Sequence, residues 1–166
     1  MFRKIEDFIP AWEYESEATL KIFRSLSDSA CKEKITGYDR TLGYLAWHIT
    51  GAVIQMGNKL GFNLYKVDTA IDYTENISGI IDIYTKLSES LVKEVQEKWH
   101  DDDLLVEQNL YGENWKNGNT LSIIIGHQAH HRAQMTVLMR ILGLNVPGVY
   151  GPSKEEWAKM GMEAQK

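Results

Sequence analysis

Cysteine is almost missing from this chain: Cys31 stands alone among 166 residues, so an intramolecular disulfide is excluded and nothing marks an oxidising compartment. Proline is scarce as well, at three residues, which leaves long stretches free to be helical. No run of about 18 apolar residues occurs, which argues against a membrane-spanning helix. The opening residues, M-F-R-K-I-E-D-F-I-P, lack the apolar core of a signal peptide. A basic patch is also lacking. The formal net charge is −5 with both signs mixed along the chain, which argues against a nucleic-acid partner. The expected setting is a reducing cytoplasm, with neither membrane nor nucleic acid as partner.

What is present is an ordinary globular composition, 43% hydrophobic and 25% charged, over a length that suits one domain spanning residues 1–166. Helical periodicity runs through most of it. Ile5, Phe8, Ile9, Trp12, Ile22, Phe23 and Leu26 recur at helical spacing in a first segment from about Ile5 to Lys34. Pro10 marks a break or a first turn there, and Gly37 closes the segment. A second helix is expected after Asp39 as N-cap, with Leu42, Leu45, Ala46, Ile49, Val53, Met56 and Leu60 inward and Gly61 as its stop. A third begins between Asp72 and Ile77, where Asp72 and Glu75 have capping-box spacing, and runs to Trp99.

Residues 100–119 hold three consecutive aspartates, two glycines and four asparagines. They read as a connection with a short hairpin around Gly112. The fourth helix is expected from Thr120 to Leu142, capped by Asn119 and stopped by Gly143, and Ser153 with Glu156 marks a short final helix. The expected fold is all-α: an antiparallel four-helix bundle with a short C-terminal helix. Bundles offer flat helical faces, so a homodimer is compatible with this design.

Three of the five histidines fall in H-Q-A-H-H, His127 to His131. On a helix, i and i+4 lie on one face, so His127 and His131 can point two imidazoles at one ion. His130, at i+3 from His127, competes for the same role, and spacing does not choose between them. Such a pair alone is explained equally well as a surface feature. His48 adds weight. It lies on the second helix about 60° from the centre of the apolar stripe, where a bundle could bring it opposite the fourth helix. Three histidines with open coordination positions describe a reactive site, whereas structural zinc sites are closed by four protein ligands.

The segments L-A-W-H-I (Leu45 to Ile49), G-H-Q-A-H-H-R-A-Q-M (Gly126 to Met135) and P-G-V-Y-G-P-S-K-E-E-W (Pro147 to Trp157) together resemble the DinB/YfiT superfamily. The resemblance implies a four-helix bundle with a metal-binding triad, one histidine from the second helix and two from a late H-x-x-x-H helix. Carried over by position, that triad is His48, His127 and His131. Ala133 stands where the family often has glycine, and His130 matches a histidine that is not normally a ligand. Arg132 and Gln134 fit the family pattern, either as orienting groups or as plain polar contacts.

A cation on three neutral ligands keeps its charge and can acidify a bound water or thiol. A hydrolase of the helical zinc type needs a glutamate after the first histidine, and that place is taken by Gln128, which cannot accept a proton. A thiol transferase instead holds a small thiol as thiolate and needs no protein nucleophile. The resemblance points the same way, to low-molecular-weight-thiol transferases acting on small electrophiles. Metal-dependent hydrolysis of a small molecule is the alternative, and a non-catalytic metal-binding, stress-induced protein is a third. The expected cofactors are one divalent ion, zinc or nickel first, and a low-molecular-weight thiol. No residue is assigned a catalytic role. Tyr111 and Trp115, in the long connection, are candidates for a site mouth, and the other tryptophans read as packing anchors.

Overall fold

The computed structural model describes residues 1–68 and 70–163. Its first helix, α1 (Ile5–Phe23), begins with the Ile5 amide donating to Asp101 Oδ1 at 2.9 Å, a cap supplied from across the chain. Pro10 lies inside α1 and does not start it. Its missing N–H and its ring fall on the exposed side, where the lost bond to the Glu6 carbonyl is left to water. The expectation of one segment to Lys34 is corrected. α1 stops at Phe23, and a separate short helix, α2 (Asp28–Lys32), starts at Ser27, whose Oγ accepts from the Ala30 amide at 3.2 Å. Ser27 and the next residue, Asp28, both prefer caps over helix interiors. Asp28 Oδ1 also accepts the Ile77 amide at 2.9 Å, which ties this break to the start of a later helix.

α3 (Leu42–Lys59) is capped by Thr41, which accepts from the Tyr44 amide at 3.1 Å, and not by Asp39. It ends at Gly61 in the left-handed region (φ 79°). Gly43, in its first turn, is required by contact: a Cβ there would lie 1.8 Å from the carbonyl oxygen of Thr74. α4 (Ile77–Lys98) is capped by Asn76, whose Oδ1 accepts the Gly79 amide at 2.9 Å. Asp72, expected as the cap, holds a turn upstream by accepting the Thr74 amide.

After a short 3-10 turn (Asp101–Leu105) the chain makes a two-stranded antiparallel hairpin, β1 (Glu107–Leu110) and β2 (Glu113–Lys116). Tyr111 (φ 56°) and Gly112 (φ 86°) form its turn, the primed geometry that matches strand twist. The hairpin expected around Gly112 is therefore present, and the fold is mostly helical with one small sheet rather than all-α.

α5 (Asn117–Ile141) starts three residues before the expected Thr120. Asn117 is buried there, its amide donating to Val106 O and its Nδ2 to Asp103 O, both at 2.9 Å. α6 (Lys154–Lys159) follows the Ser153–Glu156 signal, with the Ser153 amide donating to Glu156 Oε2 at 3.1 Å.

The long helices α1 and α3 each pack against both α4 and α5. Between them lies a core of fully buried side chains, among them Phe8, Trp12, Ile22, Phe23, Leu45, Ile49, Ile80, Tyr84, Leu87 and Leu91. Each large apolar side chain so buried contributes roughly 1.5–3 kcal/mol. No described helix is long and apolar enough to cross a membrane.

Candidate metal centre

The packing of α3 on α5 brings His48 to the two histidines of H-x-x-x-H. The ring centres of His48 lie 5.0 Å from His127 and 4.5 Å from His131, and the latter two lie 4.4 Å apart. One ring nitrogen from each falls within 4.8 Å of the others, so the three are close enough to hold a metal ion. The Nε2 atoms of His127 and His131 are 3.2 Å apart. Two nitrogens each about 2.0–2.1 Å from one ion would take a similar spacing. At that spacing one ring nitrogen donates to the other, the direction depending on the tautomer.

His130 does not join this group. It is exposed, and its Nε2 meets the side-chain amide nitrogen of Gln134 at 3.1 Å. Gln134 turns its oxygen the other way, 2.8 Å from His131 Nδ1. An amide oxygen only accepts, so Nδ1 of His131 carries the hydrogen and Nε2 keeps its lone pair toward His127. Gln134 thereby selects the tautomer in which His131 can be a ligand, the role that partners of metal-binding imidazoles commonly take. Sequence spacing left His130 and Gln134 unresolved. The i+3 and i+4 steps of α5 put them beside His131 but on its outer flank.

Burial, followed by mutual repulsion among the imidazoles, lowers the pKa of His127 to about 4. Burial likewise lowers His48 and His131. All three are therefore neutral near pH 7, as ligands must be. His127 Nδ1 is buried with no hydrogen-bond partner among the described residues, and it would carry the proton that Nε2 gives up to a cation.

Gln128 and Arg132 face away from the triad. Gln128 is fully buried, and its Oε1 accepts from Thr19 Oγ1 at 3.2 Å and from the Tyr84 hydroxyl. Arg132, also buried, donates to the Glu15 carbonyl at 2.7 Å, to Thr19 Oγ1 at 3.0 Å and to the Glu15 carboxylate. The Tyr150 hydroxyl closes this cluster, 2.6 Å from Arg132 Nη2 and 3.0 Å from both Glu15 carboxylate oxygens. These are the polar ties of α5 to α1, α4 and the C-terminal segment, and burial this deep favours such pairing, although Gln128 Nε2 has no partner among the described residues. Tyr111 and Trp115 do not reach the triad either: Tyr111 donates to Gln55 Oε1 at 3.0 Å, about two turns beyond His48 on α3, and lies beside Trp115. Cys31 is buried, and burial raises its thiol pKa to about 11.

A cleft of about 490 Å³ lies between α1 and α4, lined by Glu13, Leu20, Thr85 and Val92 among others, and touches no histidine. A smaller cavity of about 290 Å³ lies between the turn at Ile35–Tyr38 and the outer face of α5, and it too is lined by no histidine. That cavity is bordered by Gln134, the residue that holds His131.

Comparison with known proteins places the chain among related sequences and structures. The model of the DinB family matches residues 1–166. The uncharacterized protein YrdA of Bacillus subtilis (strain 168) is 42% identical, with 100% of this chain and 99% of that protein covered. A DinB-like protein from Bacillus cereus ATCC 10987, known from a crystal structure, superposes with a TM-score of 0.81 at 38% identity, covering 90% of this chain and 100% of its own. A DinB-like protein from Bacillus subtilis, YjoA, shares the fold with a TM-score of 0.67 at 16% identity, covering 89% and 99%. With the family model spanning its whole length and these relatives covered almost end to end, the chain belongs to the DinB family.

Proposed function

We propose that this protein is a single-domain, antiparallel four-helix bundle that binds one divalent metal ion through His48, His127 and His131. We further propose that it uses the ion to transfer a low-molecular-weight thiol to a small electrophile. The bundle reading is supported by the closed ring of packing among α1, α4, α3 and α5. The observation that carries the site is the convergence of three neutral imidazoles from two helices within 4.8 Å. A divalent ion on such ligands would supply a positive centre that lowers the pKa of a bound thiol or water.

The chain's own residues determine the rest. Gln134 fixes the tautomer of His131, and burial keeps all three rings unprotonated. The cavity beside Gln134 leaves about 290 Å³ for a small molecule, near the lower end of ordinary ligand pockets. Hydrolysis is the weaker reading because it calls for a general base. The residue in that sequence position, Gln128, is turned into the core, and no carboxylate is among the groups that shift the three imidazoles. Zinc and nickel both suit an imidazole set.

Metal analysis of the purified protein tests the site. About one equivalent of divalent metal is expected in the wild type, and a large loss in His48→Ala and in His127→Ala. Unchanged metal content in both variants would refute the triad. A rise in melting temperature of the metal-loaded protein with a small thiol, and none with an ester, is expected of a transferase. A response to neither would leave a metal-binding protein without this chemistry.

A further inference from the structure

One charged residue, separated from His48 by a single aromatic ring, has no role in the reading above. Arg40 precedes the cap of α3, and its guanidinium carbon lies 5.4 Å from the centre of the Tyr44 ring. Tyr44 in turn lies parallel to His48, with ring centres 6.0 Å apart and planes inclined by 7°. Steps of four residues thus stack Arg40, Tyr44 and His48 into a column that ends at the candidate metal centre. Among the described residues Arg40 makes no ion pair and no side-chain hydrogen bond, although the chain carries 23 acidic residues against 18 basic ones. A divalent ion on neutral imidazoles would keep its own charge, so the rim of the site would be cationic, with no acidic partner for Arg40 among the described residues.

We propose that the small molecule received at the triad carries an anionic group of the carboxylate kind, and that Arg40 is the residue that receives it. Stacking on Tyr44 holds the planar guanidinium in place before the ligand arrives, so less side-chain freedom is lost on binding. Its donors match a carboxylate in a paired fashion that a lysine would not reproduce. The site thereby distinguishes an acidic ligand from a neutral one of the same reactive group. This assignment rests on the metal reading above.

The test uses the cobalt-loaded protein, whose visible spectrum responds to ligands at the metal, titrated with 3-mercaptopropionate and with 2-mercaptoethanol. The quantity compared is the ratio of the two affinities in wild type and in variants, which cancels intrinsic differences between the thiols. Arg40→Gln is expected to reduce the preference for the acid about fivefold, the strength of a partly exposed charged hydrogen bond, and to leave 2-mercaptoethanol binding unchanged. Arg40→Lys is expected to keep part of the preference. An equal ratio in wild type and Arg40→Gln overturns the assignment while the metal centre stands. Cobalt uptake with no spectral response to either thiol overturns it too. A protein that takes up no cobalt overturns the metal reading and this inference with it.

Discussion

Gln128→Glu would write H-E-x-x-H over residues 127–131, the sequence of helical zinc hydrolases. Read as a string, the variant should gain a general base. The structure gives the opposite result. Residue 128 is fully buried between α1 and α4 and meets Thr19 and Tyr84, not the triad. A carboxylate there would leave water for a site whose one nearby cation, Arg132, is already paired with Glu15. The group would stay protonated instead, with its pKa raised far above the ordinary value of about 4.3. Holding it fully neutral at pH 8 costs about 5 kcal/mol. Partial relief from Arg132, which shares Thr19 Oγ1 with residue 128, brings the expected loss to about 3 kcal/mol.

The neutral acid keeps an acceptor for Thr19 and Tyr84, so little is lost at low pH. Because the folded pKa is raised, the penalty is absent below the unfolded value of about 4.3 and grows as pH rises. Urea unfolding of wild type and variant at pH 5 and pH 8 measures this directly. The expected difference is about 1 kcal/mol at the lower pH and about 3 kcal/mol at the higher. No ester or peptide hydrolysis is expected from the zinc-loaded variant. Equal stability at pH 8, or a gain of hydrolytic activity, would refute the orientation of residue 128 and the reasoning built on it.

Three other outcomes follow from the same contacts. Gln134→Leu removes the acceptor at His131 Nδ1 and is expected to weaken metal binding by roughly 10–100-fold with little change in melting of the metal-free protein, while Gln134→Glu keeps binding; calorimetric metal titration of all three proteins decides it. Cys31, buried and with its thiol raised to about 11, should react with a disulfide reagent at pH 7.5 only as fast as the protein unfolds, and rapid labelling of the native protein would contradict its burial. Glu155 is lowered to about 2, first by its hydrogen bond from Arg140, so the pair's contribution to docking α6 is held above the ordinary 4.5 and lost as pH falls toward 2. Trp157 fluorescence should report that release, and Arg140→Gln should move its midpoint upward.

The family resemblance singled out His48, His127 and His131; by itself the sequence determined the helical content, the four long amphipathic segments and the hairpin at Gly112. Each depends on a periodicity, a capping residue or a turn residue acting within a few positions. Boundaries were lost wherever a distant group supplied the cap: Asp101 at the start of α1, and Val106 and Asp103 at the start of α5. The separation of α2 from α1 was locally signalled by Ser27 but hidden by apolar residues continuing at helical spacing to Leu26.

The meeting of His48 with His127 and His131, the exclusion of His130, the inward turn of Gln128 and the column from Arg40 to His48 were decided by the packing of α3 and α5. Helical spacing places residues on a face of one rod. Only the rotation of one rod against another, set by how their apolar side chains fill the shared core, decides which polar groups meet across it.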